Sequence, residues 1–328
     1  MPTYRRVQDI AHNIGIDGFL FISVTSADVR LTATDGTQAQ LHATFEVDAP
    51  SEAEADAIFE SSLLTTEPGE GRLHVAEGDG SWGMGSAIDR LVRAIPYLVG
   101  VTADLEEIEG TAPAGCRLEL RAVSGDVQAS GFRGAQRYQS VSGDLRLADA
   151  GGSMDIDSVS GDVSLRAVAP VSLKVNNVSG DLSAEAPIYD SLRIQSVSGD
   201  VSVDGELSDA TPHAVDTVSG DFRLASASGM SVAVRGMSSE IHSALPHRFE
   251  GSADRRRLIV GDGAASVAFN SMSGDLAVTR SRQQAQPPAS ATQPAAPASE
   301  TDRIAVLGAL ERGEIDVDEA MRRLGNDA

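Results

Sequence analysis

Lysine, cysteine and aromatic side chains are scarce in this sequence of 328 residues, and each scarcity argues against a class of protein. Lys174 is the only lysine, so a phosphate-binding loop that depends on a lysine is not expected. Cys116 is the only cysteine, which excludes an intramolecular disulfide framework and a cysteine-cluster metal site. The aromatic residues are eight Phe, four Tyr and one Trp, so we expect an aliphatic core.

Positive charge is also in short supply, with 26 Lys and Arg against 48 Asp and Glu and a net charge of −22. Phosphate backbones and anionic lipid headgroups repel such a chain, so we expect no nucleic-acid partner and do not favour membrane contact. The apolar stretch 16–24 is interrupted by Asp17 and is too short for a secretory signal or a membrane span. The sequence therefore predicts a cytoplasmic protein, and a position peripheral to the cell envelope stays open.

What the sequence has in abundance is an internal repeat. The tetrapeptide Val-Ser-Gly-Asp occurs six times and begins at Val123, Val141, Val159, Val178, Val197 and Val218. Met-Ser-Gly-Asp begins at Met272, and a degenerate copy, Met-Ser-Ser-Glu, begins at Met237. These copies define eight units of about 19 residues, which is a period typical of repeat architectures.

Apolar residues alternate with other residues on both sides of each tetrapeptide. Leu, Ile and Val predominate three and five residues before the Val or Met, and again one and three residues after the Asp. This period of two predicts two short strands per unit, each with one buried face, joined at a corner that contains the glycine. His213 falls in one of the buried slots, and we interpret it as a core histidine rather than a ligand.

Two arrangements of these strands fit the pattern. One is a mainly β, single-chain β-solenoid of about eight coils, stacked in parallel at about 4.8 Å per coil. The other is an antiparallel meander with Ser-Gly hairpins, which we favour less because Ser-Gly is a weak hairpin turn. In the solenoid we expect the repeated Val residues, from Val123 to Val218, to form one buried column.

The outward positions would also stack from coil to coil. Four residues before the Val lie Glu119, Arg137, Asp155 and Lys174, whose alternating signs would place opposite charges side by side. The residues on the other outer face are small and polar, and they form either a solvated surface or a docking surface. The Asp residues of the motif would stack as well. We expect them to accept hydrogen bonds at the turns, and we do not expect calcium between them.

The rest of the chain is expected to form three further regions. Residues 1–105 are expected to cap the solenoid, which spans 106–280, with an α+β region. Within that cap the pattern predicts strands at 19–25, 29–33, 39–47 and 72–77, and helices at 51–62 and 87–95. We expect the apolar side of the predicted helix 87–95 to pack on the solenoid or, alternatively, to contact a membrane surface. Residues 281–300 form a Pro/Ala/Gln-rich linker, and 301–328 form a helical hairpin too small to fold robustly alone.

No catalytic constellation stands out in the sequence. Residues 78–83 match G-x-G-x-x-G, but no alternating strand–helix series follows, and Asp79 would repel a pyrophosphate. The histidines are not paired at zinc spacing, and a G-x-S-x-G nucleophile elbow is absent. We therefore expect no catalytic, cofactor-binding or metal-binding residues, and we interpret the chain as a non-enzyme.

The repeated Val-Ser-Gly-Asp, together with the segment 103–123 that leads into it, resembles the bacterial adhesin-type family of unknown function called the Toastrack domain. The resemblance covers roughly 15–280. Residues 307–320, Leu-Gly-Ala-Leu-Glu-Arg-Gly-Glu-Ile-Asp-Val-Asp-Glu-Ala, resemble the short helical module called SHOCT-like. The first resemblance implies a non-catalytic β-repeat protein linked to adhesion and to cell-envelope stress. The second implies oligomerisation or recruitment through the hairpin.

Our leading hypothesis is a non-catalytic β-repeat scaffold or adhesin-like binding protein. Its partner would be another protein, an envelope polymer or further copies of the same chain. The alternative is a peripheral membrane-stress sensor that uses helix 87–95, and an enzyme ranks third.

Overall fold

The structure is a computed structural model, and it describes residues 1–77, 103–238, 240–252 and 255–281. The chain divides into two compact units, Met1–Gln283 and Gln284–Ala328, and the second unit lies outside the described residues. Helix 87–95, the match at 78–83, the hairpin at 301–328 and all but the first residue of the linker also lie outside them. The expectations for these segments stay predictions.

Strands make up most of the described chain. The N-terminal elements are β1 (Thr3–Asn13), β2 (Phe19–Val24), β3 (Asp28–Thr34), β4 (Gln38–Asp48), α1 (Glu52–Ser62), β5 (Thr65–Gly69), β6 (Arg72–Ala76) and β7 (Asp104–Pro113). The next are β8 (Arg117–Ser124), β9 (Val127–Ser130), β10 (Gln136–Ser142), β11 (Leu145–Ser160), β12 (Val163–Ser179), β13 (Leu182–Ser198), β14 (Val201–Leu207), β15 (His213–Ser219) and β16 (Phe222–Ala225). The last are β17 (Met230–Ser238), β18 (Ile241–Ser243), β19 (His247–Ser252), β20 (Arg255–Val260), β21 (Ala265–Ser273) and β22 (Leu276–Thr279).

The coils build two parallel sheets, one from the strands before the corners and one from the strands after them. The first sheet has the order β6, β2, β8, β10, β11, β12, β13, β15, β21, β17. The second has the order β7, β3, β9, β11, β12, β13, β14, β16, β22, β18. The long strands β11, β12 and β13 contribute to both sheets, and register shifts mark their bends. Within the described chain ten coils stack in parallel, which confirms the β-solenoid and excludes the meander.

The solenoid begins well before residue 106, which is the start that the repeat pattern predicts. Strands β2 and β3 form a complete coil against β8 and β9, and Thr25-Ser26-Ala27-Asp28 is its corner. Strands β6 and β7 form the outermost coil beyond it. Residues 1–105, which are expected to form a cap, therefore also contribute strands to the parallel stack.

True capping elements do flank these outermost N-terminal strands. Strand β5 pairs antiparallel with β6, β4 pairs antiparallel with β7, and β1 covers the far edge of β4. Helix α1 confirms the predicted helix at 51–62. The hydroxyl of Ser51 accepts the Glu54 backbone N–H at 3.3 Å as an N-cap, and Ala55 and Phe59 are buried.

At the C-terminal end the coils do not follow the order of the chain. Strand β21, which contains Met272, and strand β22 lie between the coil of Val218 and the coil of Met237. Strands β20 and β19 then extend the first sheet in antiparallel fashion. The Met272 copy, last in the sequence, is thus an internal coil.

The predicted buried slots form the core. Examples are Leu120, Ile156 and Val175 before the corner, with Val163 and Leu224 after it, all at most 1% exposed. His213 is also buried, and its Nε2 lies 2.8 Å from the Ser208 carbonyl oxygen. Burial lowers the pKa of His213 and favours its neutral form. The interpretation of His213 as a core histidine is confirmed.

The repeated Val residues do not form a buried column, and that prediction is wrong. Val178, Val197, Val218 and Met272 are 44%, 48%, 43% and 58% exposed. Side chains alternate along a strand, so each Val faces the same way as the charged position four residues earlier. The buried column is instead the residue just before each Val, namely Ala122, Ser140, Ser158, Asn177, Ser196, Thr217 and Ser271.

Candidate functional site: the repeat corner

Each corner places four residues in register with the equivalent residues of the neighbouring coils. Because the coils stack in parallel, the Val, Ser, Gly and Asp of successive copies form four columns along one edge of the solenoid. We call the first the valine column, and it comprises Val123, Val141, Val159, Val178, Val197, Val218 and Met272. The Ser residues that follow them are all exposed. The edge thus combines apolar, hydroxyl and carboxylate groups at a constant spacing of about 4.8 Å.

Glycine is required at the corner because successive coils approach closely there. Gly180 has φ +113°, in a region that other residues resist. A Cβ on Gly180 would also overlap the carbonyl oxygen of Gly161 in the preceding coil. The same overlap arises at Gly143, Gly161, Gly199, Gly220 and Gly274. The repeated glycine therefore sets the contact between coils.

The carboxylates of the motif form a continuous ladder of hydrogen bonds. Asp200 donates its backbone N–H to Oδ1 of Asp181, and Asp181 donates its own to Asp162, both at 2.8 Å. The ladder runs in the order Asp28, Asp126, Asp144, Asp162, Asp181, Asp200, Asp221, Asp275, Glu240. The expected hydrogen bonding of these carboxylates is confirmed, although each donor belongs to the adjacent coil rather than to the same turn.

Two arginines bridge neighbouring carboxylates of this ladder. Arg146 contacts Asp126 at 2.9 Å and Asp144 at 2.8 Å, and Arg223 contacts Asp200 at 3.2 Å and Asp221 at 3.7 Å. Both arginines lie two residues after the Asp of their own coil. The N–H of Asp144 and, second, the Arg146 guanidinium hold the pKa of Asp126 below its ordinary value. The outward position two residues after the Asp therefore lies between two carboxylates.

The outer face of the first sheet carries the predicted charge alternation. The Lys174 ammonium lies 3.0 Å from Asp155, and Arg137 lies 3.5 Å from the same carboxylate. Asn176 donates to Asp157 at 2.7 Å in the next column. Such exposed pairs contribute a few tenths of a kcal/mol each, so they favour the register more than they stabilise the fold.

Inside the corner lies a column of buried polar side chains. The Asn177 amide donates to the Gly180 carbonyl oxygen at 2.7 Å, whereas the shorter Ser140 lies 3.5 Å from that of Gly143. The hydroxyls of Ser158, Ser196, Thr217 and Ser271 are buried without a protein partner. In the sequence, the only indication of this column is a polar residue at the inward-facing position just before most of the repeated Val residues.

A cleft of about 290 Å³ opens near the N-terminal end of the first sheet. It is lined by Phe19, Phe21, Thr65, Glu67, His74, Ala76, Glu119 and Arg121. The Arg121 guanidinium lies over the Phe21 ring at 5.1 Å and pairs with Glu119 at 2.5 Å. The Arg121 guanidinium in this cleft is therefore already paired with a carboxylate and an aromatic ring.

Among the described residues, one trio brings metal-ligating side chains together. It consists of Glu240, His242 and Asp275, whose ligand atoms all lie within 4.8 Å of one another. Glu240 and His242 belong to the degenerate repeat, and Asp275 comes from the adjacent coil. The sequence could not bring them together, because 35 residues separate Glu240 from Asp275 and the coil order is inverted there.

Comparison with protein families finds one match. Residues 106–211 match the family model Toastrack DUF4097. This segment contains five of the intact tetrapeptides, so the matched domain is the central part of the solenoid. No curated protein matches the chain. Among the described residues, no helix has the length and apolar character needed to cross a membrane.

Three solved structures show a remote likeness. A candidate cell adhesion protein from Clostridium sporogenes is 9% identical, with a TM-score of 0.23 over 85% of this chain and 100% of its own. A candidate adhesin from Bacteroides fragilis is 12% identical, with a TM-score of 0.34 over 83% and 97%. A candidate lipid-binding protein from Parabacteroides distasonis is 11% identical, with a TM-score of 0.25 over 84% and 97%. Likenesses this remote say nothing about what this chain binds.

Proposed function

We propose that the chain is a non-catalytic, adhesin-like scaffold whose valine column binds a protein, first of all a second copy of the chain. The observation that carries the proposal is the exposure of Val178, Val197, Val218 and Met272 on four successive coils. Exposed apolar residues in a contiguous line mark interaction surfaces more often than isolated ones do.

The spacing of the valine column favours a second copy as the partner. Its apolar side chains recur once per strand, at about 4.8 Å, and another column with that period matches them position by position. β-branched side chains at this spacing interdigitate in dry interfaces between sheets. The net charge of −22 disfavours nucleic acid and anionic membranes as alternatives.

The C-terminal segment extends this proposal. Segment 301–328 resembles the SHOCT-like module in sequence at 307–320, and we assign it to oligomerisation or recruitment at the cell envelope. Shortening the chain after Gln283, at the boundary between the units, is expected to leave the repeats folded and to reduce the mass of the assembly. Light scattering on both lengths measures this, and equal mass per chain would contradict the role of the segment.

Sedimentation velocity tests the valine column. Replacing Val178, Val197 and Val218 together by Thr keeps a β-branched shape and removes apolar surface. Self-association should weaken at least tenfold while the melting temperature stays within a few degrees. The matched control replaces Ser164, Ser183 and Ser202 by Thr on the outer face of the second sheet, and it should associate as the wild type does.

A wild type that is monomeric at every concentration contradicts the proposal. Co-sedimentation with vesicles that depends on the column would identify a membrane sensor instead.

A further inference from the structure

The Asp ladder ends differently at the last coil of the stack, which is the coil of Met237. Its last acidic group is Glu240 rather than Asp, and the Glu240 backbone N–H donates to Oδ1 of Asp275 at 2.8 Å. Two residues later comes His242, whose Nε2 lies 3.3 Å from Oε2 of Glu240. Both Glu240 and His242 are exposed, and Asp275 is half-buried. Three potential ligands therefore converge where solvent can reach them.

The same position holds a cationic group in two other coils. Arg146 lies between Asp126 and Asp144, and Arg223 lies between Asp200 and Asp221. His242 occupies the equivalent place two residues after the acidic residue of its coil, and β18 pairs in parallel with β22 beside Asp275. The backbone thus directs two carboxylates of adjacent coils toward a position that suits positive charge. Where the chain supplies His instead of Arg, no permanent charge fills it.

We propose that Glu240, His242 and Asp275 form a binding site for a divalent transition-metal ion such as Zn²⁺. An imidazole nitrogen with two carboxylate oxygens is a donor set that Zn²⁺ accepts, whereas Ca²⁺ prefers six to eight oxygen ligands. One oxygen of Asp275 accepts the Glu240 N–H, which leaves its second oxygen for a metal. Three protein ligands leave a fourth position for water or for a group on a partner. The site lies beside the valine column rather than on it, so its test is independent of the proposed function.

Isothermal titration of ZnCl₂ into the untagged, metal-free full-length protein tests the site. We expect one saturable site per chain and a higher melting temperature with Zn²⁺. His242→Ala should weaken binding at least tenfold. His242→Arg should abolish binding without lowering the melting temperature, because the guanidinium would bridge the carboxylates as Arg146 does. The control is His42→Ala, since His42 faces a single carboxylate, Asp9, at 2.5 Å.

Several results would overturn the metal site. One is the absence of saturable Zn²⁺ binding in the wild type. Another is an equal loss of affinity in the His42→Ala and His242→Ala proteins, because this would indicate nonspecific binding by exposed histidines. A third is Ca²⁺ binding as tight as that of Zn²⁺, since the oxygens alone would then account for it.

Discussion

The interior of the coils and their corners tolerate different kinds of variation. Equivalent interior slots hold Leu, Ile, Val, Met and Phe, and even His213, whereas the corner repeats the same four residues through six coils. The interior requires only apolar volume of about the right size. The corner requires particular atoms, because Gly180 faces a backbone carbonyl and Asp181 accepts a backbone N–H of the next coil.

The valine column fits neither rule. Val178, Val197, Val218 and Met272 are exposed, and the other three members are half-buried, so core packing does not demand their repetition. β-propensity alone is satisfied equally by Thr. In the corner, Gly and Asp are therefore explained by contacts between coils, whereas core packing does not explain the repeated Val. This difference motivates the proposed function, and the predictions below test it from the largest expected effect to the smallest.

The largest effect should separate two valines of one strand. Val175 is fully buried, so Val175→Asp places an unpaired carboxylate in the core and should cost about 3–5 kcal/mol. Val178→Asp faces solvent and should cost no more than about 1 kcal/mol. Urea unfolding of both variants measures the difference. Equal losses would show that the column is buried after all.

The glycine of the corner should be nearly as sensitive. Gly180→Ala adds a Cβ at φ +113° against the Gly161 carbonyl and should cost about 3 kcal/mol. The control is Gly36→Ala, where a Cβ would meet nothing closer than 3.5 Å. That variant should stay within about 0.5 kcal/mol of the wild type. A neutral Gly180→Ala in thermal and urea melts would remove the close approach of coils from the explanation.

The Asp ladder should contribute less per residue. Asp181→Ala removes the acceptor of the Asp200 N–H and should cost about 1 kcal/mol, because solvent replaces part of the bond. Asp181→Asn keeps a side-chain oxygen and should cost less than half of that. If the two variants unfold at the same urea concentration, the hydrogen bond is not the reason for the repeated Asp.

Acid should remove the contribution of Asp126 to the stability of the ladder. The folded-state pKa of Asp126 lies below its ordinary value, so its contribution is complete above about pH 4 and is lost as pH falls through that lower pKa. Asp126→Asn should therefore lose less stability than the wild type between about pH 4 and pH 2. The effect will be small because this carboxylate is 39% exposed. Parallel pH profiles for both proteins would contradict it.

The period of two in the repeats was enough to predict the solenoid, the interior slots and the charge alternation. The same period also predicts the correct orientation of the Val. Val178 lies four residues after Lys174 and three after Val175, so it faces the same side of the strand as Lys174. Apolar character alone predicts a buried Val178, and this prediction is wrong because alternation along the strand places the side chain outward. Thr25-Ser26-Ala27-Asp28 was missed as a corner because only its Ser and Asp match the motif. Its neighbours Ile22 and Val29 fit the buried slots and could have revealed it.

Long-range order was beyond the sequence pattern. Nothing local shows that the Met272 coil inserts before the Met237 coil, because that order depends on which strand edges pair. The trio of Glu240, His242 and Asp275 depends on the same inversion. Local periodicity specifies what one coil looks like, and the ends of the stack depend on tertiary pairing.

Thiol reactivity in the native protein tests the outward orientation of the valine column most directly. Cys116 is buried, and burial raises its pKa to about 11, so it stays unreactive at neutral pH and supplies a silent background. We expect a cysteine in Val197→Cys to react as fast as an exposed thiol, and one in Ile194→Cys to react slower by about two orders of magnitude, only through unfolding. A Val197→Cys thiol as protected as that of Ile194→Cys would contradict the account.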